Sequence, residues 1–482
     1  MMNIKKISII TIASVLILNP AFSDNFGFSD DQTSFDELFS QETSSSSEDS
    51  SSLQINGTAS TSLRSYYLSN DWSNSDEIEG CNLYSTQKTS LKLDLTHSSD
   101  KSDLNSTIIL NEDTFSTPSD IIDELTYRYY DGDLIYQIGK SKIVWGRGDK
   151  LHVLDLINAN DYTDFINEDY IDRRIAEPEV DLSWYKGGPY NINVQAVYTP
   201  FMTSDKLTYS NDDVWTQKII KEANILLENR GVSVDLANCL PNTNQLKYGQ
   251  FGIRTTATIN NLDLGLQYYL GHYKTPSVAA TSAMSALVAA ANAGLSSSLT
   301  ADDISEYVSY DKLQVVGIDG ESVLGKFNLR GELGYYYTDD FEGDNPDVHN
   351  NSIQWVGGFS VDLPINNMSL NVQDLGSYII NYDENTTPLD VDYSAAESCT
   401  NMIVTQISDT FDHEKINTSL AFIVDIEDLD VIEYIVKPSV DITICQGLNL
   451  NIEGSYYTGS DDSKFATFNE NGYVELSCDY SF

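Results

Sequence analysis

The residues best suited to chemistry in this sequence lie in one short stretch of mixed charge. Residues 140–174 hold six of the 27 basic residues, about three times the average density, in a chain of net charge −46. The same stretch holds seven acids, among them Asp149 and Asp161, which are enough to pair with these cations. Mixed charge at a constriction would select solutes through a transverse field. Alternatively, salt bridges would only pack the stretch against a wall. The six cations are Lys140, Lys142, Arg147, Lys150, Arg173 and Arg174.

Other kinds of site find no support in the sequence. The five histidines form no H-x-x-x-H motif, and the five cysteines form no C-x-x-C pair, so we expect no metal and no cofactor. No G-x-S-x-G motif or Ser/His/Asp set occurs in supporting context, so we expect no enzyme. The strong negative charge argues against nucleic acid as a partner. Cys81, Cys239 and Cys399 fall in candidate loops and could form disulfides, but the pairing cannot be read from sequence.

The elements that would position the charged stretch are β-strands. From Leu53 onward apolar and polar residues alternate, as in Leu91, Leu93 and Leu95 against Lys92, Asp94 and Thr96, which is the pattern of strands with two different faces. The alternating segments run to about 9–16 residues, as membrane-crossing strands do. Long cations lie on the polar faces and suit a wet lumen. They are Arg64, Arg128, Arg254 and Arg330.

Tyrosines and connection lengths indicate the same architecture. There are 30 tyrosines, often doubled near strand ends as in Tyr268-Tyr269 and Tyr456-Tyr457, and we expect them to form interfacial girdles. Long loops are predicted near 69–86, 144–178, 200–247, 274–306 and 338–350. Short turns are predicted near Ser98–Ser102, Asp131–Asp133, Lys186–Tyr190, Asn260–Asp263, Ile318–Glu321 and Pro364–Asn367.

This pattern predicts an all-β fold, a transmembrane antiparallel up-and-down β-barrel whose outer loops contain short helices. Both chain ends should lie in the periplasm, which requires an even number of strands. The count is eighteen if Met402–Phe411 is a strand, with sixteen as the alternative. Helices are predicted in the loops at Asp213–Arg230 and Ser277–Leu295.

The two chain ends predict export and assembly. Lys5 and Lys6, an apolar core and a small-residue site near residue 23 indicate a signal peptide over 1–23. Residues 24–52 are rich in Ser and acids and are predicted to form a disordered periplasmic linker, followed by the barrel over 53–482. Apolar residues alternate up to Tyr480 and Phe482, and this ending resembles the outer-membrane assembly signal of bacterial barrels. We therefore expect the outer membrane as location, with its lipid and the barrel-assembly machinery as partners.

One stretch resembles a known family. Gly139-Lys140, Ile143-Val144-Trp145-Gly146, Asp149 and Ile157-Asn158 through Asp161 resemble a G-K, V-x-W-G, D, I/V-N-P-x-D pattern. The pattern ends in R-I-P, and here Ala176-Glu177 intervene between Arg174-Ile175 and Pro178. This pattern is found in Gram-negative outer-membrane barrel proteins of unassigned role. Ala159 replaces the proline of the pattern, and the resemblance covers about 50 residues. It implies a porin-like barrel and brings no substrate.

Two functions follow as expectations. The first is a porin-like channel for small solutes, gated or narrowed by an infolded loop at 144–178. The second is a surface-exposed structural or adhesive protein with a plugged lumen. The substrate, the charge selectivity and the oligomeric state are not specified by the sequence.

Overall fold

The computed structural model describes most of the chain from Leu53 to Phe482. The segments expected to be a signal peptide (1–23) and a linker (24–52) lie outside the described residues, as does Cys81. The described ranges are 53–67, 83–164, 170–211, 213–216, 218–229, 234–278, 300–345, 347–383, 398–426, 433–459, 465–469 and 471–482.

Eighteen antiparallel strands form one closed sheet, in which each strand pairs with its neighbours in sequence. The strands are β1 Leu53–Tyr67, β2 Leu83–Ser99, β3 Ser102–Leu110, β4 Ile122–Asp131, β5 Leu134–Ser141, β6 Glu177–Lys186, β7 Ile192–Thr199, β8 Gln250–Ile259, β9 Leu262–His272, β10 Lys312–Leu324, β11 Phe327–Tyr337, β12 Ser352–Asp362, β13 Ser369–Ile379, β14 Cys399–Phe411, β15 Ile416–Asp425, β16 Glu433–Cys445, β17 Leu448–Thr458 and β18 Tyr473–Ser481. The expected fold and the count of eighteen are confirmed.

The barrel closes between its first and last strands. β1 pairs with β18 over nine residue pairs, from Thr58 opposite Ser481 to Tyr66 opposite Tyr473. The N–H of Phe482 donates to the carbonyl of Gly57 (2.9 Å), and the N–H of Gly57 donates back to Phe482 (3.0 Å). A Cβ at Gly57 would lie 2.5 Å from the Phe482 ring. Glycine at position 57 therefore lets the terminal ring lie directly against the seam.

Short turns lie at one end of the barrel and long loops at the other. The strand over Met402–Phe411 is confirmed as part of β14. The turn expected at Ile318–Glu321 is wrong, because these residues lie within β10 and the turn falls at residues 325–326. Gly317 and Gly320 resemble turn residues in the sequence, but Gly317 makes room for a loop side chain inside the barrel, and Gly325 adopts the left-handed φ of +65° that the turn requires.

The outer face of the barrel carries an apolar belt. On β10, Val316 and Ile318 are about half exposed, while Val315 before them and Asp319 after them are buried inside. Other strands repeat this alternation, which is the lipid-facing pattern of a barrel that spans the bacterial outer membrane. No described helix is long and apolar enough to cross a membrane. Further outward-facing side chains are Leu63, Leu125, Ile138, Leu182, Ile253, Leu266, Leu333, Leu420, Ile452 and Leu476.

The doubled tyrosines divide between the two faces of the wall. Tyr456 is 49% exposed on the outside, whereas Tyr457 is 2% exposed inside. Tyr268 and Tyr269 divide in the same way, with Tyr269 completely buried. The sequence therefore predicted the girdle correctly for one member of each of these pairs. The alternation of the strand turns the other member into the lumen.

Short helices occur in the loops, as expected. They are α1 Glu112–Ser116, α2 Tyr170–Arg173, α3 Lys218–Asn229 and α4 Ala301–Ser305. The helix expected at Asp213–Arg230 is confirmed over α3, whereas residues 213–216 are not helical. Of the one expected at Ser277–Leu295, Ser277–Val278 is a short strand paired with Val308–Ser309, and the rest lies outside the described residues. Cys239 is a buried free thiol and therefore does not pair with Cys399.

Candidate functional site

The loop between β5 and β6, residues 142–176, folds into the lumen; we call it the lumen loop. One amide closes its neck. Asn158 accepts a hydrogen bond from the N–H of Ile143 (2.7 Å) and donates to the carbonyls of Ser141 (2.9 Å) and Ile175 (3.0 Å). Because Asn158 is 1% exposed, these bonds form away from bulk water, where unpaired backbone groups are costly. The neck therefore fixes the direction in which the loop enters the barrel.

A single carboxylate on β11 holds the middle of the lumen loop. Glu332 accepts hydrogen bonds from four backbone N–H groups of the loop and from Nδ1 of His152 (2.7 Å). The N–H distances are 2.7 Å for Arg147 and Gly148, 2.9 Å for Val153 and 3.1 Å for Leu154. The Glu332 side chain is fully buried. Hydrogen bonds to a charged acceptor contribute more than neutral ones, so Glu332 is the main polar contact between loop and wall.

Apolar side chains of the loop fit against wall glycines. Trp145 is 1% exposed, and its ring packs against Gly252 of β8. A Cβ added at Gly252 would lie only 2.5 Å from this ring. Its indole N–H donates to Gln195 of β7 (2.9 Å). Leu154 is completely buried and occupies the space left by Gly317 and Gly334. Three strands thus carry glycine where the loop docks, and larger residues there would push it away.

The tip of the loop meets a charged strip of the wall. Arg147 contacts Asp319 (3.3 Å) and Glu321 (3.5 Å), and Arg254 makes two hydrogen bonds to the same Asp319 (2.9 and 3.0 Å). The pairs leave the net charge of the strip small. Beside it, Asp149 accepts hydrogen bonds from Asn371 and pairs with Arg330 (3.6 Å), which also contacts Glu321 (3.3 Å).

Lys150 follows Asp149 in a left-handed conformation, with φ of +62°. It is partly exposed and lines a cavity of about 10 Å³ together with Asn371, Gln373 and Gln406. Within the part of the chain that the structure describes, its ammonium group has no carboxylate partner. Lys150 is therefore a net positive charge at the loop tip.

The opposite side of the loop reaches the closing seam. Asp164 pairs with Arg64 of β1 and with Lys88 of β2 (2.5 Å each), and Arg64 also pairs with Glu475 of β18. The Arg64 guanidinium lies 4.9 Å from the centre of the Tyr473 ring. Burial alone would raise the pKa of Asp164, but Arg64 and Lys88 outweigh it and lower that pKa to about 2.

This shift predicts how acid affects the loop. Because the pKa of Asp164 is lower in the folded state, its stabilising contribution is complete above the ordinary value near 4 and disappears as pH falls through about 2. We expect the unfolding free energy of the wild type to fall by about 2 kcal/mol more than that of Asp164→Asn between pH 5 and pH 1.5. Urea titrations of the protein in lipid vesicles measure this. Parallel pH curves for the two proteins would contradict the expectation.

The other residues expected at a constriction occupy several places. Arg128 lies in the lumen and donates to Gln137 (2.9 Å), and Arg174 pairs with Asp155 (2.9 Å) inside the loop. Arg173 is 1% exposed between Tyr162 and Tyr170. Lys142 pairs with Asp123 (2.8 Å), and Asp161 with Lys206 (3.5 Å). These contacts favour the interpretation of a loop packed by salt bridges.

Lys140 lies outside the lumen, which corrects its assignment as a lining residue. It pairs across the sheet with Leu125, on the outer face that also carries Tyr136 and Ile138. Its Nζ reaches the carbonyl of Ile122 (2.8 Å). The period of two along β5 decides this placement, because Lys140 has the same parity as the lipid-facing residues.

A second cavity, of about 50 Å³, lies between the lumen loop, two other loops and β10–β12; we call it the vestibule cavity. Its polar lining includes His152, Asp155, His272, Lys274 and Gln354. Tyr273, Tyr336 and Leu313 add apolar surface. At the closing seam, Trp215 from the loop after β7 is 4% exposed and contacts Tyr66 edge-on, with ring centres 6.0 Å apart. More than one loop thus enters the barrel.

A serine, a histidine and an aspartate meet at the rim without forming a catalytic relay. Ser277 (3.1 Å) and Asp311 (2.6 Å) both contact Nδ1 of His349. A nucleophile and an orienting acid require opposite nitrogens of the imidazole ring. These contacts therefore tie the rim loops together, and pairing with His349 holds the pKa of Asp311 below its usual range despite the opposing effect of burial.

Sequence reasoning missed the residues that hold the loop. Neither Glu332 nor His152 is singled out by a motif in the sequence. Gly252, Gly317 and Gly334 were not singled out. A signal was present in the glycines at inward positions of neighbouring strands, since glycine within a strand often marks a close approach.

No protein-family model and no curated protein sequence matches this chain. Among solved structures, it is similar to OccAB3 of Acinetobacter baumannii, with 9% identity, a TM-score of 0.46, and 89% of this chain and 99% of that chain covered. It is also similar to a BenF-like porin from Pseudomonas fluorescens Pf-5, with 11% identity, a TM-score of 0.46, and 89% and 98% covered. The outer membrane channel DcaP of Acinetobacter baumannii gives 12% identity, a TM-score of 0.40, and 89% and 97% covered.

Proposed function

We propose that the protein is an outer-membrane channel for small solutes, in which the lumen loop closes or narrows the passage. The observation that carries this proposal is the docking of the loop through Glu332. One carboxylate accepts five hydrogen bonds from a loop that crosses a barrel of eighteen strands, a size that encloses an aqueous lumen when the loop is removed. A contact of this kind can be broken without unfolding the wall.

The proposal is tested by the conductance of the purified protein in planar lipid bilayers. We expect discrete steps from the wild type and larger steps when loop docking is weakened. The absence of steps from both, in samples with a native barrel spectrum, would contradict a channel.

Lys150 is expected to set the charge preference of the narrowed passage. As the net positive charge at the loop tip, it attracts anions, and Lys150→Glu reverses this charge. We predict that the substitution raises the cation-to-anion permeability ratio several-fold, because a charge within a Debye length of a narrow path acts on every ion that passes. The reversal potential across a KCl gradient measures the ratio. Lys312→Glu, at an exposed strand end, is the matched control, and equal shifts from both variants would contradict a role for Lys150.

A second function is favoured by the apolar packing of the loop. Trp145 and Leu154 are almost completely buried, as expected for a permanent plug. The protein would then be a surface-exposed structural or adhesive protein whose outer loops carry the activity. Deleting residues 213–229 would abolish attachment to its partner and leave conductance at zero.

We also propose that Phe482 and Tyr480 present the terminal strand to the barrel-assembly machinery. In the folded barrel, their rings stack with centres 6.2 Å apart on the outer face. Deletion of Phe482 removes both backbone bonds to Gly57 and the terminal aromatic. We expect the amount of heat-resistant, folded barrel in outer-membrane fractions to fall at least several-fold. Phe115→Ala, an exposed aromatic far from the seam, should leave that amount unchanged, and an equal effect of both changes would contradict the proposal.

A further inference from the structure

We infer that the vestibule cavity binds a neutral, polyhydroxylated solute such as a sugar or polyol. This inference rests on the proposed function, because it names the substrate class of that channel. The cavity is lined by polar groups without hydrogen-bond partners among the described residues, by charged groups that already make polar contacts, and by apolar side chains.

Two side chains that line the cavity, Gln354 and His272, have hydrogen-bonding groups that no described residue uses. The side-chain amide of Gln354, on β12, makes no hydrogen bond to any described residue, although Gln354 is only 4% exposed. The Nδ1 atom of His272, at the end of β9, is also buried without a partner. An amide offers two donors and an acceptor, and a neutral imidazole one of each. Buried groups of this kind are costly unless a ligand or water satisfies them. A ligand of this cavity therefore needs both hydrogen-bond donors and hydrogen-bond acceptors.

The charged groups that line the cavity already make polar contacts, and Asp205 among them accepts a hydrogen bond from the N–H of Asn160 (2.7 Å). Asp155 pairs with Arg174 and accepts the hydroxyl of Tyr170. Lys274 pairs with Glu177 (3.3 Å) and donates to Gln250 (2.7 Å). A charged solute would have to break one of these buried pairs, which is strongly unfavourable. The free groups, Gln354 and His272, are neutral dipoles, and hydroxyl groups satisfy both their donors and their acceptors.

The walls and the volume of the cavity suit one edge of a sugar ring. Tyr273, Tyr336 and Leu313 give the cavity apolar walls, suited to the C–H face of a sugar ring beside its hydroxyl edge. A volume of about 50 Å³ exceeds the roughly 10–15 Å³ that one water needs. It is smaller than a whole hexose, so the cavity takes one edge of the ring. Two adjacent hydroxyls of that edge would meet Gln354 and His272.

Calorimetric titration of the full-length protein in detergent micelles tests the inference. The probes are glucose, glucuronate and glucosamine, which share one ring but differ in charge. We expect glucose to bind and the two charged sugars to bind at least tenfold more weakly. Gln354→Leu removes both hydrogen-bonding functions at constant size and is expected to weaken glucose binding about tenfold. His272→Phe, which keeps a ring without nitrogens, is expected to act in the same direction.

Gln406→Leu is the matched control, because Gln406 lies in the lumen on β14 beside the other cavity. It should leave glucose binding unchanged. No glucose binding, tighter binding of glucuronate, or equal losses from Gln354→Leu and Gln406→Leu would each overturn the inference. Binding is measured here without conductance, so silent bilayers with intact glucose binding would reject the channel alone, and conducting bilayers without glucose binding would reject the neutral-sugar site alone.

Discussion

Replacing Glu332 with alanine is expected to release the lumen loop from the wall. The substitution leaves four backbone N–H groups and Nδ1 of His152 without their acceptor. Bonds to a charged group contribute about 1.5–3 kcal/mol each, and even two of them correspond to at least about a 100-fold change in the population of the released loop. Arg147 and Lys150 are trypsin sites within the released segment. We therefore expect cleavage there to become about 100-fold faster, measured by mass spectrometry of the fragments.

The matched control is Glu453→Ala. Glu453 also lies in the lumen, on β17, where it accepts a hydrogen bond from Tyr473 (2.9 Å). Because none of the described residues of the lumen loop donates to Glu453, its loss should leave cleavage at Arg147 and Lys150 close to the wild-type rate. Equal cleavage of the wild type and Glu332→Ala would show that Glu332 does not hold the loop.

Replacing Arg64 with methionine is expected to cause the largest loss of barrel stability. Arg64 is 6% exposed and compensates the charges of both Asp164 and Glu475 beside the β1–β18 seam. Removing one partner of a buried ion pair typically costs about 3–5 kcal/mol, because the remaining charges stay buried. We expect a decrease of about that size in the free energy of unfolding, measured by urea titration in lipid vesicles.

Two further variants separate charge from packing. Arg330→Met breaks pairs that are more than a quarter exposed and should cost less than about 1 kcal/mol. Adding Asp164→Asn and Glu475→Gln to Arg64→Met removes the uncompensated charges and should restore much of the lost stability. If the triple variant were no more stable than Arg64→Met, the loss would come from packing instead.

Much of the barrel could be predicted because its determinants are local. A period of two sorts Val316 and Ile318 outward and Asp319 inward without knowledge of the partner strands. The requirement for an even number of strands then predicted that β14, the uncertain segment, is a strand. The turn after β10 was misplaced, because a glycine that makes room inside a strand and a glycine that forms a turn look alike in sequence. Gly317 lies within a strand beside Leu154, whereas Gly325 has a φ of +65° and open space around it.

The site was predicted only in outline. The mixed charge of residues 140–174 predicted an infolded loop, and Arg64, Arg254 and Arg330 do line the lumen. The identity of each partner depended on contacts between residues far apart in sequence, such as Glu332 with Gly148. Residue spacing cannot predict these partners. The loop has no periodic structure, so its sequence does not indicate which wall residues each loop residue contacts.

The most direct test of the account is single-channel recording of the wild type and Glu332→Ala in the same planar bilayers. The account predicts small or infrequent steps from the wild type and larger, longer openings from the variant, because the lumen loop no longer crosses the passage. Silence from both proteins, with an intact barrel spectrum and with the loop of the variant cleaved by trypsin, would show that the lumen stays blocked without the loop and would contradict the channel.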